Sequence, residues 1–156
     1  DLGPAGLQAL RRAVAEARAR GLPLHVVRAW QPDPPHLYLS PEEQWRYGET
    51  SATEAIDKAF ADTMGGPPAD LQVCRVLAPG PAGTTLAEQV GPDDLLVLGS
   101  RRRRRWQRLS QTVRYCLTHA LCPVLVVPPP ELACAGSPRA LRRELLRDLD
   151  RLTRRG

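Results

Sequence analysis

The sequence predicts an α/β fold with an open, mostly parallel twisted sheet and helices on both faces. Three observations carry that expectation. Short apolar runs at 22–30, 71–77, 95–98 and 124–127 alternate with segments whose apolar residues recur at helical spacing. The last two runs, Leu-Leu-Val-Leu and Val-Leu-Val-Val, are unbroken apolar stretches of the kind a strand covered on both faces carries. Between the periodic segments stand clusters of glycine and proline that break either period.

The elements follow in order. Leu7, Leu10, Val14 and Ala17 share one face of a helix over 5–20, and Gly21 stops it. Residues 22–30 (LPLHVVRAW) form a strand with β-branched residues at its centre. Residues 31–47 contain Pro32, Pro34, Pro35 and Pro41 and are expected to be a loop outside the core. Ala52, Ala55, Ile56, Ala59 and Phe60 mark a second helix, ended by Gly65-Gly66-Pro67-Pro68. A strand at 71–77, a turn at Pro79-Gly80-Pro81 and a short helix at 84–90 come next. The strand at 95–98, a helical face of Val113, Cys116, Leu117 and Ala120, and the strand at 124–127 complete the series. This order begins with a helix, whereas right-handed crossover units start from a strand, so a strand is expected before Asp1.

Length and composition bound the function. At 156 residues, 42% hydrophobic and 25% charged, the chain suits one α/β domain at 1–130 with a sizeable core. A linker at 131–136 and an amphipathic helix at 137–156 follow it. In that helix Ser137-Pro138 forms the start signal, and Leu141, Leu145, Leu149 and Leu152 line one face amid arginines. No apolar run approaches the ~20 residues that span a bilayer, and no secretory signal is visible, so no membrane partner is expected. Cys74, Cys116, Cys122 and Cys134 lack the spacing of a zinc site, which points to free thiols in a reducing cytoplasm and to no metal. The formal net charge of +5 is matched by one run, Arg101, Arg102, Arg103, Arg104 and Arg105, so basicity is local.

That run occupies a telling place. Ligands of α/β folds collect where a strand ends and its loop begins. Here the loop opens on Gly99-Ser100, as a phosphate cradle would, and then replaces small residues with arginine. Other candidates are weaker. His25 reads as a packed or edge histidine, and His119 as a C-terminal helix cap. Ser100 and Ser110 lack the G-x-S-x-G setting of a hydrolase nucleophile. Asp93-Asp94 precede a strand and are not a metal pair. Trp30, Trp45 and Tyr47 read as packing around the proline-rich loop, and Trp106 as an anchor of the arginine loop.

The motifs DDLLVLGS and THALCPVLVVP, with the opening DLGPAGLQALRRAVAEARARGLPLHVVRAW, resemble the universal stress protein family over residues 1–130. The resemblance implies a Rossmann-like, adenine nucleotide alpha hydrolase-like fold and a regulatory, stress-response role without defined catalysis. It implies a homodimer that pairs the last strands through Val124, Leu125, Val126 and Val127, with a further regulatory partner unidentified. It also places Asp1 at the end of a central first strand. Three sources could fill that place: residues upstream, a partner or swapped chain, or direct pairing of the two halves.

Nucleotide-binding members carry a pattern similar to G-x2-G-x9-G-[ST]. Gly99 matches its first glycine and Arg102 stands at the second. The third falls on Thr112 counting forward, or on Ser110-Gln111 counting back from Cys122. The family's adenine and ribose contacts map to Asp1 and roughly Val27. With two glycines replaced, no cofactor is expected. ATP or ADP is the ligand if one binds, and an anion or nucleic acid held by the 101–105 arginines is the other alternative. Five adjacent like charges repel and splay into solvent, which argues against nucleic acid as the main partner.

Overall fold

The structure is a computed structural model that describes residues 3–31, 38–100 and 109–130. Its elements are α1 (Pro4–Arg20), β1 (Leu24–Trp30), α2 (Pro41–Met64), β2 (Val73–Pro79), α3 (Ala82–Glu88), β3 (Leu96–Gly99), α4 (Gln111–His119) and β4 (Val124–Val127). The αβ alternation is the one that the hydrophobic periodicity predicts. The run at 101–105, Trp106, Asp1, and the linker and final helix expected at 131–156 lie outside the described residues.

Local chemistry explains the boundaries. Proline occupies the first turn of α1, and Gly21, at φ 63°, turns the chain out of it in the left-handed conformation that glycine adopts freely. Helix α2 begins earlier than expected. The 31–47 stretch is not a loop throughout, because Ser40 and Glu43 form a capping box and Pro41 takes a position that needs no N–H. The Ser40 hydroxyl accepts from the Glu43 N–H at 3.4 Å, and the Glu43 carboxylate accepts from the Ser40 N–H at 2.8 Å. Proline therefore starts this helix instead of breaking it. Leu117 is also misplaced by periodicity: Val113 and Cys116 are buried, but Leu117 is 47% exposed on the flank of α4.

All strand pairing is parallel, and it occurs in two separate pairs. Strand β1 pairs with β2, Leu24 opposite Val73 through Trp30 opposite Pro79. Strand β3 pairs with β4, Leu96 opposite Val124 through Gly99 opposite Val127. Among the described residues the two pairs share no ladder, so the halves do not pair directly. Backbone parity shows which edges stay open. The Leu24 N–H and the Trp30 C=O are directed at the β2 side, so His25, Val27 and Ala29 direct their backbone groups away from β2. By the same parity Val97 and Gly99 direct theirs away from β4, because Leu96 and Ser100 donate to Pro123 and Val127.

Helices hold the pairs together. Helix α1 touches β1 on one side and β3 and β4 on the other, and it packs beside α2; α3 packs against α4 and β1. Each pair has its own core. Val14, Ala17, Leu24, Ile56 and Phe60 form one cluster, and Leu96, Leu98, Val113, Cys116 and Cys122 form the other. Ion pairs brace the outside of the first: Arg18 grips Asp70 with two hydrogen bonds of 2.7 and 2.8 Å.

Two outcomes follow. Phe60 of α2 is fully buried against α1 and β1, so Phe60→Ala should cost about 3–5 kcal/mol, read as a lowered urea midpoint. The Glu43 carboxyl is held below its ordinary value by the hydrogen bonds from Ser40, and Asp70 by its bond from Arg18. A depressed folded-state pKa adds stability above the unfolded value, and that stability is lost as pH falls through the folded one. Ser40→Ala should therefore lower the melting temperature at pH 7 and do so much less at pH 3. An equal effect at both pH values would remove the capping-box carboxylate from this account.

Candidate functional site

In a parallel α/β arrangement the helix N-termini gather at the carboxyl ends of the strands. Here Trp30, Pro79, Gly99 and Val127 end the strands, and α1 to α4 each begin on that side. The β3–β4 pair closes there with the Ser100 N–H donating to the Val127 carbonyl at 2.8 Å. The β1–β2 pair closes with the Gly80 N–H donating to the Trp30 carbonyl at 2.8 Å. Gly80 has φ 121°, a conformation strained for residues with a side chain, and the Thr85 hydroxyl donates to Pro79 beneath it at 3.2 Å.

Gly99 meets the opening turn of α1. A Cβ at this position would lie 2.5 Å from the Ala5 carbonyl oxygen and 2.8 Å from the Gly6 nitrogen. Backbone stands where a side chain would project, so glycine is required for helix and strand to approach this closely. Ser110 has a comparable structural task. It is the N-cap of α4, and its hydroxyl accepts from the Val113 N–H at 3.3 Å. Gln111 and Thr112 are the first two residues of that helix, the former exposed and the latter half-buried. Val27 lies mid-strand opposite Val76, three residues before the strand's end. Of the residues matched to the nucleotide pattern, the structure thus brings Gly99, Ser110, Gln111 and Thr112 to the carboxyl ends of β3 and β4, with Val27 deeper in β1.

A family model described as the universal stress protein family matches residues 1–128. The chain belongs to the universal stress protein family. A solved universal stress protein from Archaeoglobus fulgidus is similar at 18% identity and a TM-score of 0.52, covering 78% of this chain and 88% of that one. A universal stress protein solved in complex with cAMP is similar at 20% identity and a TM-score of 0.54, covering 83% of this chain and 92% of that one. At these identities the two likenesses speak to fold. No curated protein matches the chain.

Other side chains singled out by sequence have structural tasks in this universal stress protein domain. The His119 ring stacks on Tyr115, with centroids 4.0 Å apart, and its Nδ1 lies 2.9 Å from the Tyr115 carbonyl, so it caps the end of α4 as expected. His25 is exposed on β1. The Asp94 carboxylate accepts from the Gly91 N–H at 2.7 Å and holds the turn before β3. Burial pushes the Cys116 thiol up, and neighbouring Cys122 adds to the shift, which disfavours the reactive thiolate of this fully buried side chain. No helix among the described residues is long and apolar enough to cross a membrane.

Two close contacts escape hydropathy reading. Trp30 lies flat on Gly48 of α2, where a Cβ would come within 2.8 Å of the indole. Tyr115 covers Gly83 of α3, where a Cβ would stand 3.0 Å from the tyrosine Cβ. Isolated glycines inside helices were their only sequence signal.

Gly99→Ala should cost more than the loss of the cap. The alanine forces α1 off β3 at a cost of about 1–3 kcal/mol or more, whereas Ser110→Ala should cost about 1 kcal/mol. Parallel denaturation curves test this; a G99A midpoint equal to the parent's would show that the close approach is not needed.

Proposed function

We propose that this domain is a regulatory stress-response module that works as a cytoplasmic homodimer, without enzymatic activity and without the family's glycine-based ATP cradle. The observation that carries this reading is the commitment of the two motif positions described: Gly99 to the α1 backbone and the Ser110 hydroxyl to its helix cap. The first contact is packing that glycine alone permits, the second occupies the hydroxyl, and Arg102 stands in sequence where a second glycine would let backbone wrap a phosphate. Purified protein, heat-denatured and filtered, should release no material absorbing at nucleotide wavelengths, and calorimetry with ATP or cAMP should give no saturable heat. Stoichiometric release of ATP or ADP would overturn the reading.

A second reading rests on the similar protein solved with cAMP. A nucleotide or other anion would then be held by the arginines at 101–105, by charge and bidentate hydrogen bonds. Such binding should weaken steeply with salt and vanish when the five arginines become serine.

Dimerisation through β4 is supported by an edge that no other described strand pairs with. Pro123 and Val127 turn their carbonyls to β3, so Val124 and Val126 present backbone groups outward. Leu117 and Leu121 stand exposed beside the strand, the latter at 74%. Val126 itself packs against the Leu96 cluster, so a charged residue there would injure the core as well as the edge. Val126→Pro, which removes the outward donor, should convert dimer to monomer in light scattering, with circular dichroism showing the fold retained. A folded variant of unchanged dimer mass would remove this edge as the interface.

The same reading joins the two strand pairs through one further strand leading into α1. The open backbone edges of β1 and β3 and the α1 bridge support it.

A further inference from the structure

We propose that the first two turns of α2, with Tyr38 and Leu39 just before them, dock an arginine-bearing segment of a partner protein. Its guanidinium lies on the Trp45 indole between the carboxylates of Glu42 and Glu49. Exposure sets this surface apart. Of the eight large apolar side chains exposed among the described residues, four fall within residues 38–47: Tyr38, Leu39, Trp45 and Tyr47, the first at 94% and Trp45 at 41%. Such clustering marks an interaction surface, whereas single exposed apolar residues do not. The fold explains its position. The stripe of α2 that enters the core, Gly48, Ala52 and Ile56, continues N-terminally to Trp45, three residues before Gly48. Trp30, the last residue of β1, already lies on Gly48. Trp45 therefore stands a turn further out, past the carboxyl end of β1.

Charge identifies the occupant. Helix α2 carries six carboxylates against two cations, in a chain of net charge +5. Asp57 and Asp62, in its later turns, pair with Arg75 and Lys58. Glu42 and Glu49 have no ion-pair partner among the described residues. Spaced three and four residues from Trp45, they flank it on one helix face, with neighbouring Cβ atoms about 5–6 Å apart. Arg46, the cation of these turns, exerts its pull on Glu43 of the capping box. An exposed indole between two carboxylates attracts a cation through the ring face and through the charges. Arginine suits it best, because its planar group stacks and still donates hydrogen bonds. The same carboxylates repel phosphate, so this surface differs in chemistry from a nucleotide site. Tyr38 and Leu39 favour an aliphatic residue beside the arginine.

Titrating the full chain with a blocked hexapeptide, Ala-Leu-Arg-Ala-Leu-Arg, tests the proposal. The indole N–H signal that Trp45→Phe removes from the NMR spectrum should shift saturably. Affinity should fall at least tenfold in Glu42→Gln/Glu49→Gln, while Glu88→Gln, on α3, leaves it unchanged. The citrulline analogue of the peptide, alike in shape but uncharged, should bind the unaltered chain at least tenfold more weakly, a comparison that needs no variant to fold. No saturable shift, equal affinity for the citrulline peptide, or undiminished affinity in the double variant would overturn the proposal. So would a fall in oligomer mass by light scattering in Trp45→Ala, which would make a second copy the occupant. None of these readouts depends on nucleotide binding or on the β4 edge pairing.

Discussion

Helix α1 is the member on which the remainder of the domain rests. A two-stranded sheet is at best marginally stable by itself, and this molecule contains two of them with no ladder between them among the described residues. What relates them first is a rod of 17 residues, α1, with the short α3 as a second link between β1 and α4. Along one side Val14 and Ala17 sink into the core shared by β1 and α2, with Leu24, Ile56 and Phe60. At its N-terminal end the same helix sets its backbone on Gly99. The exit of β3 is thereby fixed relative to the first sheet by a backbone-on-backbone contact, which tolerates less adjustment than side chains would.

This dependence gives the glycine at 99 a meaning different from that suggested by its motif. In a phosphate loop glycine lets a ligand come close to the main chain. Here it lets a helix come close, and the place of a side chain is taken by the backbone of Ala5 and Gly6. Retaining this glycine therefore carries no information about retaining a nucleotide, because packing alone demands it. The same holds for Ser110, whose hydroxyl serves the α4 N–H groups whether or not anything binds nearby.

The element series was legible because each strand is a compact apolar run and each helix has one apolar stripe, signals that need no tertiary information. The misreadings arose where local chemistry outranked composition. Prolines at 32, 34, 35 and 41 suggested a loop to Tyr47, yet the fourth sits at the first turn of α2, and the Ser-Pro-Glu-Glu sequence at 40–43 was a start signal in plain view. Leu117 follows the stripe of α4 but stays 47% exposed, so periodicity promised burial that the packing of the described residues does not provide. The site was legible in position and not in use. Spacing located Gly99 and Ser110, but only the approach of α1, 94 residues away in sequence at Ala5, reveals what Gly99 is for.

The arginine run acquires its significance from these commitments. Anion recognition at the carboxyl ends of strands ordinarily draws on oriented backbone N–H groups, which cost little reorganisation because the fold fixes them. Where the later glycines of such a loop are replaced, as at Arg102, affinity must come from side chains that lose rotamer freedom on binding and repel one another beforehand. Guanidiniums can supply that affinity, but it is screened by salt and indifferent to the base of a nucleotide. A domain built this way can sense the charge of a partner more readily than its identity. Under the proposed reading, such recognition suits a regulatory module better than one tuned to a single adenine nucleotide.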